Sequence, residues 1–187
     1  MIKLNAKELR DIETSSAKNH AVTVQRNPFF LILENVYDTY NIGGLFRLAD
    51  ALAVEKIYLC GQMETPPNGR IAKASIGTYK IVPWEYKTSA VEAIEELRKQ
   101  KKEIKIIAIE QSKNAKKYSK VDYSLPVALI VGNETFGISE ETLKAADEIV
   151  EIPMWGINKS LNVIVSAAIV AYHIMSDKKT SCDVYPF

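Results

Sequence analysis

Only two cysteines occur among 187 residues, which excludes a disulfide-stapled fold; Cys60 and Cys182 are expected to be free thiols. Long apolar runs are missing too. None approaches the roughly eighteen residues that mark a membrane span, so no membrane partner is expected. The opening segment MIKLNAKELRDIETSSAKNH lacks the apolar centre of a secretory signal and reads as a charged, partly amphipathic helix, which places the chain in the cytoplasm. Without export, the glycosylation-like triplets at Asn133 and Asn158 carry little meaning. Neither an internal repeat nor a low-complexity linker interrupts the chain, and at this length one well-buried domain is expected rather than two.

A dominant charge is also absent. The formal net charge of +1 neither demands nor excludes nucleic acid, because the distribution of charge matters as well as its sum. One stretch is locally basic: Arg98, Lys99, Lys101, Lys102, Lys105, Lys113, Lys116, Lys117 and Lys120 stand against Glu103 and Glu110 alone. Such an edge is ordinarily a solvated helix end and loop, and it becomes a phosphate-binding patch only where something else points to RNA.

What is present is an alternation of short apolar runs with helical patterns. The runs at 29–33, 56–60, 104–109, 127–131 and 148–153 read as strands, and the segments near 41–53, 88–102, 139–147 and 160–176 as helices. Apolar strands without polar alternation, separated by amphipathic helices, predict an α/β domain with a mostly parallel sheet flanked by helices. Ligands in such folds sit beyond the carboxyl ends of the strands, so chemistry is sought in the loops after residues 33, 109, 131 and 153.

Three of these loops hold unusual residues. In ENVYDTYNIGGLFRLADAL, Asn41 can cap a helix, and Arg47 follows Gly43 by one turn. The paired glycines Gly43 and Gly44 cost stability unless the backbone approaches something closely, and the G-x-G-x-x-G spacing of a dinucleotide site is lacking. In VALIVGNETFGISEETL, Gly132 and Gly137 have the spacing that opens a phosphate-binding P-loop. A nucleotide hydrolase is nevertheless disfavoured, because Ile138 stands where the phosphate-reaching lysine belongs and Glu134 would set a carboxylate among phosphates. Ser139, followed by acidic residues, reads as a helix cap. In PMWGINKSLNVIVSAAIVAY, Ser160 can cap the last helix. Asn162 then falls in the first turn of an apolar helix, where a buried amide asks for a partner.

At these loops the sequence resembles the SpoU/TrmH family of S-adenosylmethionine-dependent RNA ribose 2′-O-methyltransferases, within the SPOUT superfamily. Its three motifs appear in order: NIGGLFRLAD with Asn41, Gly43 and Arg47; LIVGNETFGIS with Gly132, Glu134 and Gly137; and IPMWGINKSLNVIVSAAI with Ser160 and Asn162. The resemblance covers roughly residues 28–175. It implies a methyltransferase domain over 28–178, preceded by an N-terminal helical extension (1–27) and followed by a tail (179–187). It further implies a C-terminal trefoil knot, a homodimer and no metal. S-Adenosylmethionine would be held in the knot by loops that map to Ile109 and Glu110, Gly132 and Asn133, Ile152 to Met154, and Leu161.

By the same resemblance Arg47 is the principal catalytic residue. Its guanidinium stays charged and is a poor proton acceptor, so binding of a phosphate and stabilisation of a developing alkoxide suit it better. Asn41, Ser160 and Asn162 would orient Arg47, the nucleotide or the cofactor, with Glu134 fixing one of them by hydrogen bonds. Arg70 and Lys73, in RIAKASIGTYKIVPW, are candidates for phosphate contacts alongside Arg47. The partner that the resemblance implies is RNA, transfer or ribosomal. The rival is a non-catalytic knotted RNA-binding or assembly protein, which would not need the whole polar set. His173 is expected to pack or to lie at an interface, His20 to sit at the surface, and Trp84 and Trp155 to serve core or dimer packing.

Overall fold

The strand β1 (Asn27–Glu34) reads NPFFLILE and is buried from Phe29 to Glu34, which requires a strand on each edge and a helical layer on each face. The computed structural model, which describes residues 3–12, 16 and 24–176, supplies both. β1 pairs in parallel with β2 (Val54–Cys60) on one side and with β6 (Val127–Val131) on the other. Beyond β2 lies β3 (Trp84–Lys87); beyond β6 lie β4 (Lys105–Ile109), β7 (Glu148–Glu151) and the two-residue β5 (Lys116–Lys117). The result is a seven-stranded parallel sheet in the order β3-β2-β1-β6-β4-β7-β5.

Alternation along β1 divides the core. Phe29, Leu31 and Leu33 face α2 (Thr39–Ala51), α3 (Gly69–Ser75) and α6 (Val163–Ser176). Phe30 and Ile32 face α4 (Ala90–Gln100) and α5 (Glu140–Ala145). The chain therefore leaves β1 toward one face, through α2, and leaves the adjacent β6 toward the other, through α5. That divergence opens a crevice beyond their carboxyl ends, the switch point at which parallel sheets bind ligands.

The five apolar runs are strands, as expected. The pattern did not reveal β3, β5 or α3. β3 is a four-residue strand at the sheet edge, β5 is too short to carry a period, and α3 has only two buried residues, Ile71 and Ser75. Two helix starts also differ. Asp38, not Asn41, caps α2 by accepting the Tyr40 N–H at 2.8 Å, which leaves Asn41 buried in the first turn. At α6 the cap is Asn162 rather than Ser160: its side-chain oxygen accepts the Ile164 N–H at 2.9 Å and its carbonyl the Ser166 N–H at 3.0 Å. Asn162 is exposed, so the expectation of a buried amide inside the helix fails; the helix begins one residue later.

The paired glycines have a packing cause. A Cβ on Gly43 would lie 2.4 Å from the Cβ of Ala74 in α3, and one on Gly44 would lie 2.3 Å from Cδ1 of Ile164 in α6. α2 is wedged between two helices, with one glycine set against each. His173 packs edge-on against the rings of Tyr118 and Tyr123, at 5.2 and 5.8 Å. Trp84 packs partly buried against the core. Trp155 does not belong to the core, being 89% exposed. Of the N-terminal extension, the capped helix α1 (Ala6–Asp11) is described. His20, Cys182 and the tail fall outside the described residues, in which no helix is long and apolar enough to cross a membrane.

Candidate functional site

The loop after β6 is a tight reversal. Asn133 and Gly137 exchange both backbone hydrogen bonds, at 3.0 and 2.9 Å, while the Asn133 side chain accepts the N–H groups of Thr135 and Phe136. A Cβ on Gly132 would lie 2.4 Å from the carbonyl carbon of Gly137, and Gly137 holds φ at +69°, so both positions require glycine. Two carboxylates from neighbouring strand ends fasten the loop: Glu110 accepts the Ile138 N–H at 2.8 Å, and Glu34 accepts the Ser139 N–H at 2.9 Å and the hydroxyls of Ser139 and Thr142. Glu134 stands at the tip of this braced loop.

From Glu134 a directional chain of bonds crosses the crevice. Its carboxylate accepts the backbone N–H groups of Tyr37 and Asp38, at 2.9 and 3.1 Å, and the Asn41 amide at 2.7 Å. An ionised carboxylate only accepts, so Asn41 must turn its NH₂ toward Glu134 and leave its oxygen free. That oxygen accepts the Asn162 NH₂ at 2.9 Å, and the remaining Asn162 oxygen caps α6. Burial opposes ionisation of Glu134, but the Asn41 amide and the backbone N–H groups of Tyr37, Glu134 itself and Asp38 outweigh it and hold the carboxyl below its ordinary range. The group is thus an anion whose lone pairs are engaged, suited to fixing geometry rather than to taking a proton.

Beside this chain lies a cavity of about 510 Å³, lined by the ends of β4, β6 and β7 and by the segment leading into α6. Ile109, Glu110, Gly132, Asn133, Ile152, Met154 and Leu161 all line it, as do Glu134, Ser160 and Asn162. Its carboxylates Glu110, Glu134 and Glu151 outnumber its one cation, Lys159. Gln111, which sequence reasoning missed, also lines it and donates from its side chain to the Lys159 carbonyl, tying the β4 loop to the segment before α6. A single polar residue after a strand gives no sequence signal for such a tie. Glu34, the polar last residue of β1, was missed for the same reason, and Asp38 because the cap of α2 was assigned to Asn41.

The structure brings Asn41, Glu134 and Asn162 together but joins neither Ser160 nor Arg47 to them. Ser160 is exposed, and its backbone N–H meets the Asn158 side chain at 3.4 Å. Arg47 is exposed on α2, and its side chain makes no hydrogen bond or ion pair with the described residues. Arg70 lines a different hollow, and Lys73 stands exposed on α3. Among the described residues no cluster of His, Cys, Asp or Glu could hold a metal ion.

Comparison with known proteins bears on this geometry. The model of the SpoU rRNA Methylase family matches residues 28–172, which include every residue of the directional chain. The chain belongs to the SpoU rRNA methylase family. The tRNA (guanosine(18)-2′-O)-methyltransferase of Escherichia coli K12 is 28% identical over 172 residues, covering 90% of this chain and 72% of that protein. The enzyme of that name from Thermus thermophilus is 31% identical over 142 residues, covering 76% and 71%. Other SpoU and TrmH relatives are longer: the chain spans 58% of a Bacillus subtilis TrmH family protein to which it is 29% identical. Among solved structures, the Aquifex aeolicus TrmH/SpoU tRNA modifying enzyme superposes with a TM-score of 0.72 at 29% identity, covering 91% of this chain and 81% of that one. An AdoMet-bound rRNA methyltransferase from Sinorhizobium meliloti gives 0.71 at 26% identity, covering 90% and 59%. The SpoU fold thus extends over nearly all of the described chain.

Proposed function

We propose that the protein is a cytoplasmic, S-adenosylmethionine-dependent methyltransferase acting on a ribose 2′-hydroxyl of tRNA or rRNA. The observation that carries this reading is the meeting of the Glu134–Asn41–Asn162 chain with a strand-end cavity of negative lining. The names of the Escherichia coli and Thermus relatives and the AdoMet-bound fold neighbour support it.

The cavity fits the cofactor. Its volume lies in the range of small-molecule sites. Ile109, Ile152 and Leu161 offer apolar walls to an adenine, and the lining carboxylates suit a group that carries a sulfonium and an ammonium. Ile109, Glu110, Gly132, Asn133, Ile152, Met154 and Leu161 would hold S-adenosylmethionine, which supplies an electrophilic methyl group. The rest falls to this chain's residues. Transfer to an oxygen depends on alignment and on lowering the cost of losing the hydroxyl proton. Asn41 and Asn162, locked in orientation by Glu134, position the ribose at the cavity rim, and Ser160 offers its hydroxyl there. Arg47 binds the neighbouring phosphate and stabilises the developing alkoxide; solvent or a phosphate oxygen takes the proton. Arg70 and Lys73 hold flanking phosphates.

The reading includes a second copy of the chain and a knot. Tyr40 on α2 and Val165 and Tyr172 on α6 are 53%, 45% and 53% exposed on two helices that pack together, a surface suited to a homodimer that covers Arg47's face. The segment between β7 and α6, tied by Gln111, is read as the threaded part of a trefoil knot. The test is isotope transfer: deuterium-methyl S-adenosylmethionine is incubated with unmodified tRNA and rRNA, and the digested nucleosides are analysed by mass spectrometry. A labelled 2′-O-methyl nucleoside is expected, absent with an Arg47→Ala variant that still binds cofactor. No label in either pool refutes the reading, and undiminished label with Arg47→Ala refutes the role of Arg47.

A further inference from the structure

The fold sorts the basic run between Arg98 and Lys120 into spent and unspent charges. Arg98 pairs with Asp147 at 2.7 Å, Lys101 with Glu55 at 3.0 Å and Lys116 with Glu148 at 2.8 Å, and the Lys105 ammonium donates to the Asp122 carbonyl at 2.7 Å. Lys99, Lys102, Lys113, Lys117 and Lys120 are exposed, and their side chains make no hydrogen bond or ion pair with the described residues.

Strand register divides the unspent charges again. Lys99 closes α4 and Lys102 precedes β4, so both lie at the amino ends of the parallel strands, away from the cavity. Lys113 and Lys117 lie at the carboxyl ends. Ile109 of β4 stands level with Val150 of β7, and Val150 with Lys116 of β5. The loop joining β4 to β5 therefore rises beyond the strand ends with Lys113 in it, Lys117 stands level with Glu151, and Lys120 ends the short 3-10 turn that follows.

Two contacts fix this edge to the site. Gln111, two positions before Lys113, lines the cavity and donates to the carbonyl of Lys159, a further exposed cation at the cavity mouth. Tyr118, the residue after Lys117, sets its ring against His173 of α6 at 5.2 Å, and its carbonyl accepts the Tyr123 hydroxyl at 2.6 Å. α6 is the helix whose cap, Asn162, bonds to Asn41. The neighbouring carboxylates do not cancel the edge: Lys116 takes Glu148, Glu151 lines the cavity, and Asp122 sits beside Lys105 at the start of β4. Unpaired cations on a braced rim are matched by the repeated negative charge of a nucleic-acid backbone.

We propose that the β5 edge, through Lys113, Lys117 and Lys120, binds backbone phosphates of the RNA outside the methylated nucleotide. The inference rests on the RNA methyltransferase reading for its ligand and adds where the rest of the RNA runs. Arg70 and Lys73 belong to α3, which follows β2 on the other side of the cavity in the strand order. RNA held on both flanks crosses the carboxyl-end face, over the cavity. Lysines on an edge strand also deter pairing with other chains, a purpose that needs no RNA.

The test compares two double variants of the full chain that remove equal charge, Lys113→Gln with Lys117→Gln at the edge and Lys99→Gln with Lys102→Gln at the amino ends. Affinity for unmodified tRNA and rRNA is measured by fluorescence anisotropy over a salt series. Phosphate contact is independent of sequence, so either pool reports it. The edge double should flatten the plot of log affinity against log salt by about 2 and weaken binding roughly 30-fold at about 0.15 M salt, with its Tm unchanged. Lys120→Gln added to it should flatten the plot by about 1 more. The amino-end double should keep nearly the wild-type slope. Equal losses in the two doubles, or none in the edge double, overturn the proposal and leave the lysines as guards of an open sheet edge. Wild-type protein that binds neither RNA pool at low salt refutes the RNA reading itself.

Discussion

Replacing Glu134 with glutamine tests whether the directional chain is anchored by a charge. The carboxylate accepts from Tyr37, Asp38 and Asn41, so a glutamine of the same shape must direct its NH₂ at one of these donors. The least disruptive choice faces the amide toward the Tyr37 N–H and loses that bond, and the other two become bonds to a neutral oxygen. A hydrogen bond to a charged group contributes about 1.5–3 kcal/mol, and solvent exposure of Glu134 sets the expectation at the low end, about 1.5 kcal/mol. For a domain of this size that is a fall in Tm of roughly 3–6 °C. The effect must depend on pH. Glu134 titrates below its ordinary value in the folded chain, so its contribution is fully present above the unfolded value, about 4.3, and is lost as pH falls through the lower folded value. The Tm difference between wild type and Glu134→Gln, measured by calorimetry from neutral pH downward, should therefore shrink below about pH 4. Methyl transfer at neutral pH should fall roughly 100-fold if Asn41 and Asn162 shift by about 1 Å. A Tm gap that stays constant into acid, or a variant with wild-type turnover, refutes the anchoring role.

Asn162 has two duties that substitutions can separate. Asn162→Ala removes the α6 cap and the bond to Asn41 and should cost about 1–2 kcal/mol by chemical denaturation, whereas Asn162→Ser keeps a cap, restores most of that stability and still loses turnover. Equal stability of the two variants would show that the cap is not what α6 needs. The glycines of α2 should differ in rank. Gly43→Ala meets the backbone N of Ser75 at 2.8 Å as well as Ala74, while Gly44→Ala meets the movable end of Ile164. Gly43→Ala should therefore destabilise by about 1–3 kcal/mol and Gly44→Ala by less, with Ile164→Val relieving only the latter; the reverse order in thermal melts counts against the wedge. Burial, with Glu34 and Glu92 nearby, pushes the Cys60 thiol up to about 12. In a Cys182→Ser background the native chain should react with a thiol reagent at pH 8 only when unfolded, and fast native labelling would contradict that burial.

The fold was largely legible because its central strands are unbroken apolar runs of strand length, and burial on both faces leaves few other arrangements for Phe29–Leu33 or Val127–Val131. The peripheral pieces were not legible. Lys116 and Lys117 pair with β7 by position alone, and no residue pattern announces a strand of that length. Within the site, Asn162 stood out as an amide without a reason at its place in the sequence, and its reasons are the α6 cap and Asn41, 121 positions away. Local reasoning assigned caps to Asn41 and Ser160 because both types cap well, but Asp38 and Asn162 take those places. The paired glycines signalled a close approach correctly and could not say to what. A missing Cβ marks a contact without naming its partner, here Ala74 and Ile164.

The direction of the hydrogen bonds decides how the site can change. Each amide in the chain has one donor end and one acceptor end, so the orientation of Asn162 follows from that of Asn41, and that of Asn41 from the charge on Glu134. Reversing any one would set NH₂ against NH₂ or oxygen against oxygen. The only member that cannot reverse is the carboxylate, and it is braced independently: the Asn133–Gly137 reversal holds its loop, and Glu110 and Glu34 hold that loop to two strands. Orientation thus propagates outward from the sheet, through Glu134, to α2, which leaves β1, and finally to α6. A site so ordered tolerates loss at its far end better than at its origin. Removing Asn162 frees one amide, whereas removing Glu134 frees two amides and the Tyr37–Asp38 backbone, which lines the same hollow as Arg70.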